Sequence, residues 1–131
     1  MYNACKNGNI EKVREFLTTP PKINSHIRIC FEEACLGGHI EVVKYMVELG
    51  IDPTLGIHQA SCRNNIQLVS YLLDQGADPD GGIYGASSYG YLELIRLLVS
   101  RGANPNYGIH GALEEGMEDA IKLLQELGAT A

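Results

Sequence analysis

The strongest constraint on this chain is an internal repeat with a period of about 26 residues. The phrases GIHQAS, GIYGAS and GIHGAL begin at equal intervals, at Gly56, Gly82 and Gly108. Other residue types keep the same interval, namely Gly50, Gly76, Gly102 and Gly128; Pro53, Pro79 and Pro105; and Ala34, Ala60, Ala86 and Ala112. Such self-similarity is typical of repeat proteins, in which each copy packs only against its neighbours.

Five copies can be aligned, and together they predict one domain over residues 1–131. The approximate copies are residues 1–23, 24–52, 53–78, 79–104 and 105–131, and we expect the two outer copies to cap the stack. The earliest, GNIEKVREFL, begins at Gly8, more than one period before its counterpart at Gly38, so the first connection has four extra residues around Pro20 and Pro21. A chain of this length buries about two-thirds of its unfolded surface, which is enough for a core.

Each copy predicts two helices joined by a tight turn. In the third copy, Ile66, Val69, Leu72 and Leu73 have helical spacing and form the apolar face of the second helix, called helix B. Ile57, Ala60 and Ser61 lie at i, i+3 and i+4, which predicts a short first helix, called helix A, whose small residues approach its neighbours closely. The turn between the helices falls at Gly8, Gly38, Asn64, Gly90 and Gly116, residue types that tolerate a positive φ.

The start of helix A is predicted from a polar residue that follows each periodic proline. Thr54, Asp80 and Asn106 occupy this position, and all three are preferred N-cap types, so we expect helix A to begin near residue 55, 81 or 107. In the fourth copy, Gly81, Gly82 and Gly85 predict a helix A of reduced stability, by about 1 kcal/mol for each internal glycine.

The copies resemble ankyrin repeats. The resemblance is carried by ACLGGHIEVVKYMVELGIDP, ASCRNNIQLVSYLLDQGADP and ASSYGYLELIRLLVSRGANP, which are similar to the second half of the family's repeat, and it extends over nearly the whole chain. It implies a protein-binding solenoid. Shortened, irregular repeats of this kind are similar to those of large DNA viruses and intracellular bacteria.

The repeat is shorter than the family's usual length of about 33 residues. Seven residues are absent between Gly76 and Ile83, where a typical ankyrin repeat forms its projecting β-hairpin. We therefore predict an all-α solenoid of about five stacked helix-turn-helix repeats, with short loops in place of the β-hairpins.

Composition excludes several classes of partner and compartment. Ten Lys and Arg residues against sixteen Asp and Glu residues leave a net charge of −6 without a basic run, which argues against nucleic-acid binding. We find no apolar signal segment or membrane span, and the four cysteines do not form a paired framework. We expect reduced thiols, no membrane partner and a cytoplasmic location, in a host cell if the protein is viral or an effector.

The Cys and His residues allow a metal-binding or enzymatic alternative, but their spacing disfavours both. Cys30, Cys35, His39 and Cys62 lack the C-x-x-C and H-x-x-x-H spacings, and Gly37 and Gly38 interrupt the helix between Cys35 and His39. Cys62 follows His58 by four residues, which places both on one helix face, but no acidic partner is marked. We therefore expect no metal, no cofactor and no catalysis.

Variable positions at a fixed place in the repeat are the candidates for partner binding. The third letter of the recurring phrase is Glu32, His58, Tyr84 and His110 in successive copies. A second variable position, at the end of helix A, is Asn7, Gly37, Arg63, Tyr89 and Glu115. Tyr and Arg are enriched at interface hot spots. The predicted binding residues are His58, Arg63, Tyr84, Tyr89, Tyr107 and His110, with Glu114 and Glu115 as an acidic end. The resemblance also gives His58 and His110 a structural role, hydrogen bonding to neighbouring loops.

The leading hypothesis is a monomeric, non-catalytic module that binds another protein or peptide through its concave helical face. A third hypothesis is a subunit of a larger assembly, in which Leu123, Leu124 and Leu127 belong either to the core or to an interface.

Overall fold

In the described part of the chain, residues 2–17 and 24–130, the computed structural model contains ten α-helices. They are α1 (Tyr2–Asn7), α2 (Ile10–Phe16), α3 (Ser25–Leu36), α4 (Ile40–Glu48), α5 (Thr54–Cys62), α6 (Ile66–Asp74), α7 (Asp80–Ser88), α8 (Leu92–Ser100), α9 (Pro105–Glu114) and α10 (Glu118–Glu126). Odd-numbered helices are the A helices and even-numbered helices the B helices. The predicted all-α solenoid of helix pairs is confirmed, and residues 2–17 and 24–130 contain no strand.

The core lies between the A helices and the inner faces of the B helices. In α6, Leu68, Val69 and Leu72 are fully or almost fully buried, and they lie at the spacing that puts side chains on one helix face. The A helices of the third, fourth and fifth repeats each contribute a buried isoleucine and alanine, such as Ile83 and Ala86, both at 0% exposure. Successive A helices pack directly on one another, from α1 to α3, α5, α7 and α9.

The glycines that recur with the repeat have the backbone conformation predicted for them. At the turn between helices A and B, Asn64 replaces the glycine of the other repeats and has φ of 54°. The left-handed conformation costs most residue types about 1–2 kcal/mol, and Asn is one of the few exceptions besides Gly. The turn is therefore the same in all five repeats despite the substitution.

The loop that replaces the β-hairpin is held by a side chain from the start of helix A in the same repeat. The N-cap prediction for Thr54, Asp80 and Asn106 is wrong. These residues lie inside the first turn of their helices, at or after Thr54, Asp80 and Pro105. Their side-chain oxygens instead accept backbone N–H groups from the segment that follows helix B of the same repeat, Thr54 from Asp78 (3.0 Å), Asp80 from Asn104 (2.8 Å) and Asn106 from Thr130 (2.9 Å). We call these three bonds the loop ladder.

A second side chain shapes each loop locally. The side-chain oxygens of Asp52, Asp78 and Asn104 accept the backbone N–H two residues ahead, at 2.9 to 3.0 Å, which is an Asx turn. Loop ladder and Asx turn together supply the hydrogen bonds that a β-hairpin supplies in a longer repeat, so five residues are enough to connect α6 to α7.

The first glycine of the recurring phrase is required by the packing of neighbouring A helices. A Cβ atom at Gly82 would overlap the Ser61 Oγ, one at Gly108 would overlap the Ser87 Oγ, and one at Gly56 would overlap the Cys35 Sγ. This explains why Cys35, Ser61 and Ser87, which meet a glycine of the next A helix, are small residues at 0% exposure. The sequence alone predicts only that Gly82 and Gly85 lower helix stability. It does not reveal that Gly82 is required by the packing of neighbouring A helices.

Two further observations complete the fold. The prediction of extra connecting residues around Pro20 and Pro21 falls outside the described residues. Across residues 2–17 and 24–130, none of the helices combines the length and the apolar character needed to cross a lipid bilayer.

Candidate functional site

The two variable positions of the repeat lie on the exposed edge of the A helices. The position of Arg63, Tyr89 and Glu115 is the residue that directly follows an A helix, and all three side chains are exposed. The position of His58, Tyr84 and His110 is also exposed in all three helices, one and a half turns earlier. The two rows are therefore close to each other and have no role in the core.

One open groove of about 430 Å³ lies across α5, α7 and the end of α9, and we call it the A-helix groove. It is lined by His58, Cys62, Tyr84, Gly85, Ser88, Tyr89, Glu115 and Met117. Four of the eight predicted binding residues therefore border one surface feature. Gly85 forms its floor, because the absence of a side chain there leaves room against Cys62 of the preceding helix.

Tyr84 is held at one side of this groove by a contact with the next repeat. Its hydroxyl donates a hydrogen bond to Oε2 of Glu114, at 2.9 Å, and its side chain is 45% exposed. The hydrogen bond to the Glu114 carboxylate and the negative charge of that carboxylate raise the pKa of Tyr84 above the ordinary value of 10.0. The phenol is therefore a protonated donor at neutral pH.

Tyr89 is held by a different contact, on the opposite side of the groove. Its ring stacks on the ring of Tyr91, with centroids 5.4 Å apart and planes 15° apart, and the Tyr91 hydroxyl donates a hydrogen bond to the carbonyl of Cys62 at 3.2 Å. Tyr89 remains 57% exposed. It also lines two neighbouring depressions, so it lies where three surface features meet.

Arg63 lies beside the groove rather than in it. With Leu36, Cys62, Tyr89 and Tyr91 it lines an adjacent depression of about 520 Å³. Glu114 and Glu115 lie at the end of α9, so the surface has a cation on the α5 side and two carboxylates on the α9 side.

Tyr107 and His110, the remaining predicted residues, are exposed on α9 but are not among the residues that line the A-helix groove. Ser88, Tyr91 and Met117 belong to this surface and are not predicted from the sequence. Tyr91 is at the repeat position of His39 and Asn65, next to the turn, where a tyrosine is a departure that signals a local contact. Met117 lies beside Gly90 across the repeat boundary, a proximity that the sequence does not reveal.

The resemblance implies that His58 hydrogen-bonds to a neighbouring loop. In the structure it is His39, not His58, that makes a contact with another repeat. His58 lies beside Cys62 of its own helix, with Nε2 3.6 Å from Sγ, rather than against a loop of a neighbouring repeat. It is His39 that makes a contact between repeats, because its Nε2 is 2.7 Å from the carbonyl oxygen of Lys6.

The thiols do not have the character of a nucleophilic or metal site. Burial raises the pKa of Cys62, although the Arg63 charge opposes this in part, and burial raises the pKa of Cys5 and Cys35 to about 12. In residues 2–17 and 24–130, no cluster of three or more His, Cys, Asp or Glu side chains is arranged to hold a metal ion. Cys35 packs against Gly56 in the core.

The assembly hypothesis rests on three leucines of the last repeat. Leu123 and Leu124 are buried in the core at 4% and 0% exposure, and Leu127 packs against it. These leucines belong to the core.

Comparison with known proteins agrees with the geometry. The sequence model of the ankyrin repeat matches residues 57–81 and 84–108. A protein of Acanthamoeba polyphaga mimivirus, described as an ankyrin repeat protein, is 33% identical over 52 residues. That segment is 40% of this chain and 11% of the length of the viral protein.

Proposed function

Since this chain is an ankyrin repeat protein, a member of a family whose repeats generally mediate binding to other proteins, we propose that it is a non-catalytic binding module. Its partner is another protein or peptide, which contacts the exposed, concave edge of the A helices. The A-helix groove is the centre of this contact.

The proposal rests on a difference between the buried framework positions of the repeat and its exposed, variable positions. Framework positions hold the same small or apolar residues in successive copies and are buried, such as Ala60, Ala86 and Ala112 at 0% exposure. The position of Arg63 holds Tyr89 and then Glu115, the position of His58 holds Tyr84 and then His110, and all six side chains are exposed. Stacking of the repeats constrains the residue types at the buried positions. The exposed positions are free to vary and can therefore specify a partner.

Large exposed aromatics support the same surface. Tyr84, Tyr89 and Tyr107 are 45%, 57% and 55% exposed, and all lie on or directly after α7 and α9. Tyr supplies a large contact area at a small cost in side-chain entropy, and it is enriched at hot spots. A groove of about 430 Å³ suits a helix or short peptide better than a broad globular surface.

The test is capture of a partner from the lysate of the cells that make this chain. Three baits are compared, the wild type, the groove variant Arg63→Ala, Tyr84→Ala, Tyr89→Ala, and a control variant Gln67→Ala, Arg96→Ala on exposed positions of the B helices. Circular dichroism first establishes that all three are equally helical.

A protein held by the wild type and the control but lost by the groove variant supports the proposal. A protein held equally by all three baits, or lost by the control alone, contradicts the proposed face. Absence of any captured protein contradicts the binding function.

A further inference from the structure

The A-helix groove combines two ordered aromatic rings with a carboxylate, and this combination identifies the chemistry of its ligand. Tyr84 and Tyr89 border the groove from α7, and Glu115 borders it from the end of α9. In the described part of the chain, Glu115 is the one carboxylate among the groove-lining residues. Glu114 precedes it and already accepts the Tyr84 hydroxyl, which leaves its second oxygen for another donor.

The rings are held in place before a ligand arrives. The Glu114 hydrogen bond fixes Tyr84, and Tyr91 covers one face of Tyr89 while that residue stays 57% exposed. A ring fixed in this way loses little freedom on binding. The open π-face of a tyrosine attracts a cation through its quadrupole.

We propose that the groove accepts an arginine side chain of the partner, whose guanidinium stacks on Tyr89 and donates hydrogen bonds to Glu115. This assignment rests on the proposed function, because the arginine belongs to the bound protein or peptide. A planar guanidinium stacks on aromatic rings and donates two parallel hydrogen bonds to a carboxylate, whereas lysine is a point charge.

Charge complementarity supports this occupant. The chain has a net charge of −6, and Glu114 and Glu115 add a local pair of carboxylates at the groove. The Arg63 guanidinium lies in the adjacent depression, on the α5 side. Its charge favours a position of the incoming cation on the α9 side, next to Glu115.

The chain already uses this interaction between its own repeats. The Arg14 guanidinium lies over the ring of Tyr45, 5.2 Å from its centroid, and the Lys44 ammonium lies over the ring of Tyr71 at 5.6 Å. Both contacts join neighbouring B helices. Tyr89 is a more exposed ring than Tyr45 or Tyr71, which are half-buried, and it has no cation of this chain over it among the described residues.

The test is an NMR titration of the whole chain with N-acetyl-arginine amide, compared with N-acetyl-citrulline amide, which has nearly the same shape without the charge. We expect the arginine compound to shift the backbone amides of Tyr84, Tyr89 and Glu115. The citrulline compound should bind about tenfold more weakly, because it lacks the cation–π contact and the charge-assisted hydrogen bond.

Two variants locate the effect. Glu115→Gln should weaken arginine binding several-fold, and Glu93→Gln, a matched exposed glutamate on α8, should leave it unchanged. Equal binding of both compounds, shifts confined to other residues, or no effect of Glu115→Gln would overturn the arginine assignment.

This experiment separates the two proposals. If capture of a partner depends on the groove but arginine and citrulline amides bind equally, the arginine assignment is wrong and the binding function stands. If arginine amide binds selectively but every captured protein is held equally by the groove variant, the assignment stands and the proposed protein-binding face is wrong.

Discussion

The hydroxyl of Tyr84 donates a hydrogen bond to the carboxylate of Glu114 at 2.9 Å, which joins the A helices of the fourth and fifth repeats beside the groove. This bond favours the protonated phenol and raises its pKa. Its contribution to stability is therefore present below the ordinary pKa of 10.0 and is lost as the pH rises through the raised pKa of the folded state.

We predict that Glu114→Gln lowers the pKa of Tyr84, because both the negative charge and the charge-assisted hydrogen bond are removed. The measurement is an alkaline NMR titration of the Tyr84 ring carbon. Glu93→Gln is the control and should leave the Tyr84 pKa unchanged. An unaltered Tyr84 pKa in Glu114→Gln would show that the hydrogen bond is absent in solution.

A methyl group at Gly82 should destabilise the stack. Gly82→Ala places a Cβ against the Ser61 Oγ, and we expect a loss of about 1–3 kcal/mol in the free energy of unfolding, as for other overpacked cores. The higher helix propensity of alanine offsets part of this, by up to about 1 kcal/mol. Urea denaturation measures the difference.

Ser61→Ala provides the matched rescue. The Ser61 Oγ is buried and has no hydrogen-bond partner among the described residues, so its removal alone should be neutral or stabilising. In the double variant Ser61→Ala, Gly82→Ala, most of the lost stability should return, and the remaining cost reflects the Ser61 Cβ at 3.2 Å. Additive effects of the two substitutions would refute the packing explanation.

The turn at Asn64 should discriminate sharply among substitutions. With φ at 54°, we expect Asn64→Gly to keep or slightly raise the stability and Asn64→Val to lower it by about 1–2 kcal/mol, the cost of a left-handed conformation. Thermal unfolding of the two variants beside the wild type measures this. Equal melting temperatures for the Gly and Val variants would contradict the assigned turn.

The loop ladder predicts a stabilising role for Asp80, a partly exposed polar residue. Asp80→Ala removes the acceptor of the Asn104 N–H, and we expect a loss of about 0.5–1.5 kcal/mol, typical of one hydrogen bond. Asp80→Asn keeps a side-chain oxygen at the same place and should retain most of the stability. If both variants lose the same amount, the charge of Asp80 and not the ladder bond stabilises the loop.

The helix pairs and their turns could be predicted from the sequence because one helical period and one glycine position recur in every repeat. Asn64 shows why this works, since its positive φ follows from its alignment with glycines alone. The roles of Thr54, Asp80 and Asn106 could not be derived in the same way. A side chain that accepts an N–H in its own helix and one that accepts an N–H from the loop after helix B have the same sequence pattern. Only the distance between the start of helix A and that loop decides between them.

The candidate site was predictable in part for the same reason. Exposure of His58, Tyr84, Tyr89 and Glu115 follows from their repeat positions, and the structure brings them to one groove. Contacts between side chains, such as Tyr84 with Glu114 and Tyr89 with Tyr91, depend on side-chain directions at the ends of helices. Local periodicity contains no information about them.

Binding of the partner at the exposed edge of the A helices can be tested by photo-crosslinking in native lysate. We would place p-benzoylphenylalanine at Tyr89 in one protein and at Phe16 in another. Both side chains are 57% exposed, so they sample solvent equally, but Phe16 lies on α2 away from the groove. We predict a covalent partner adduct from position 89 and none from position 16. The same adduct from both positions, or an adduct from position 16 alone, would contradict binding at this edge.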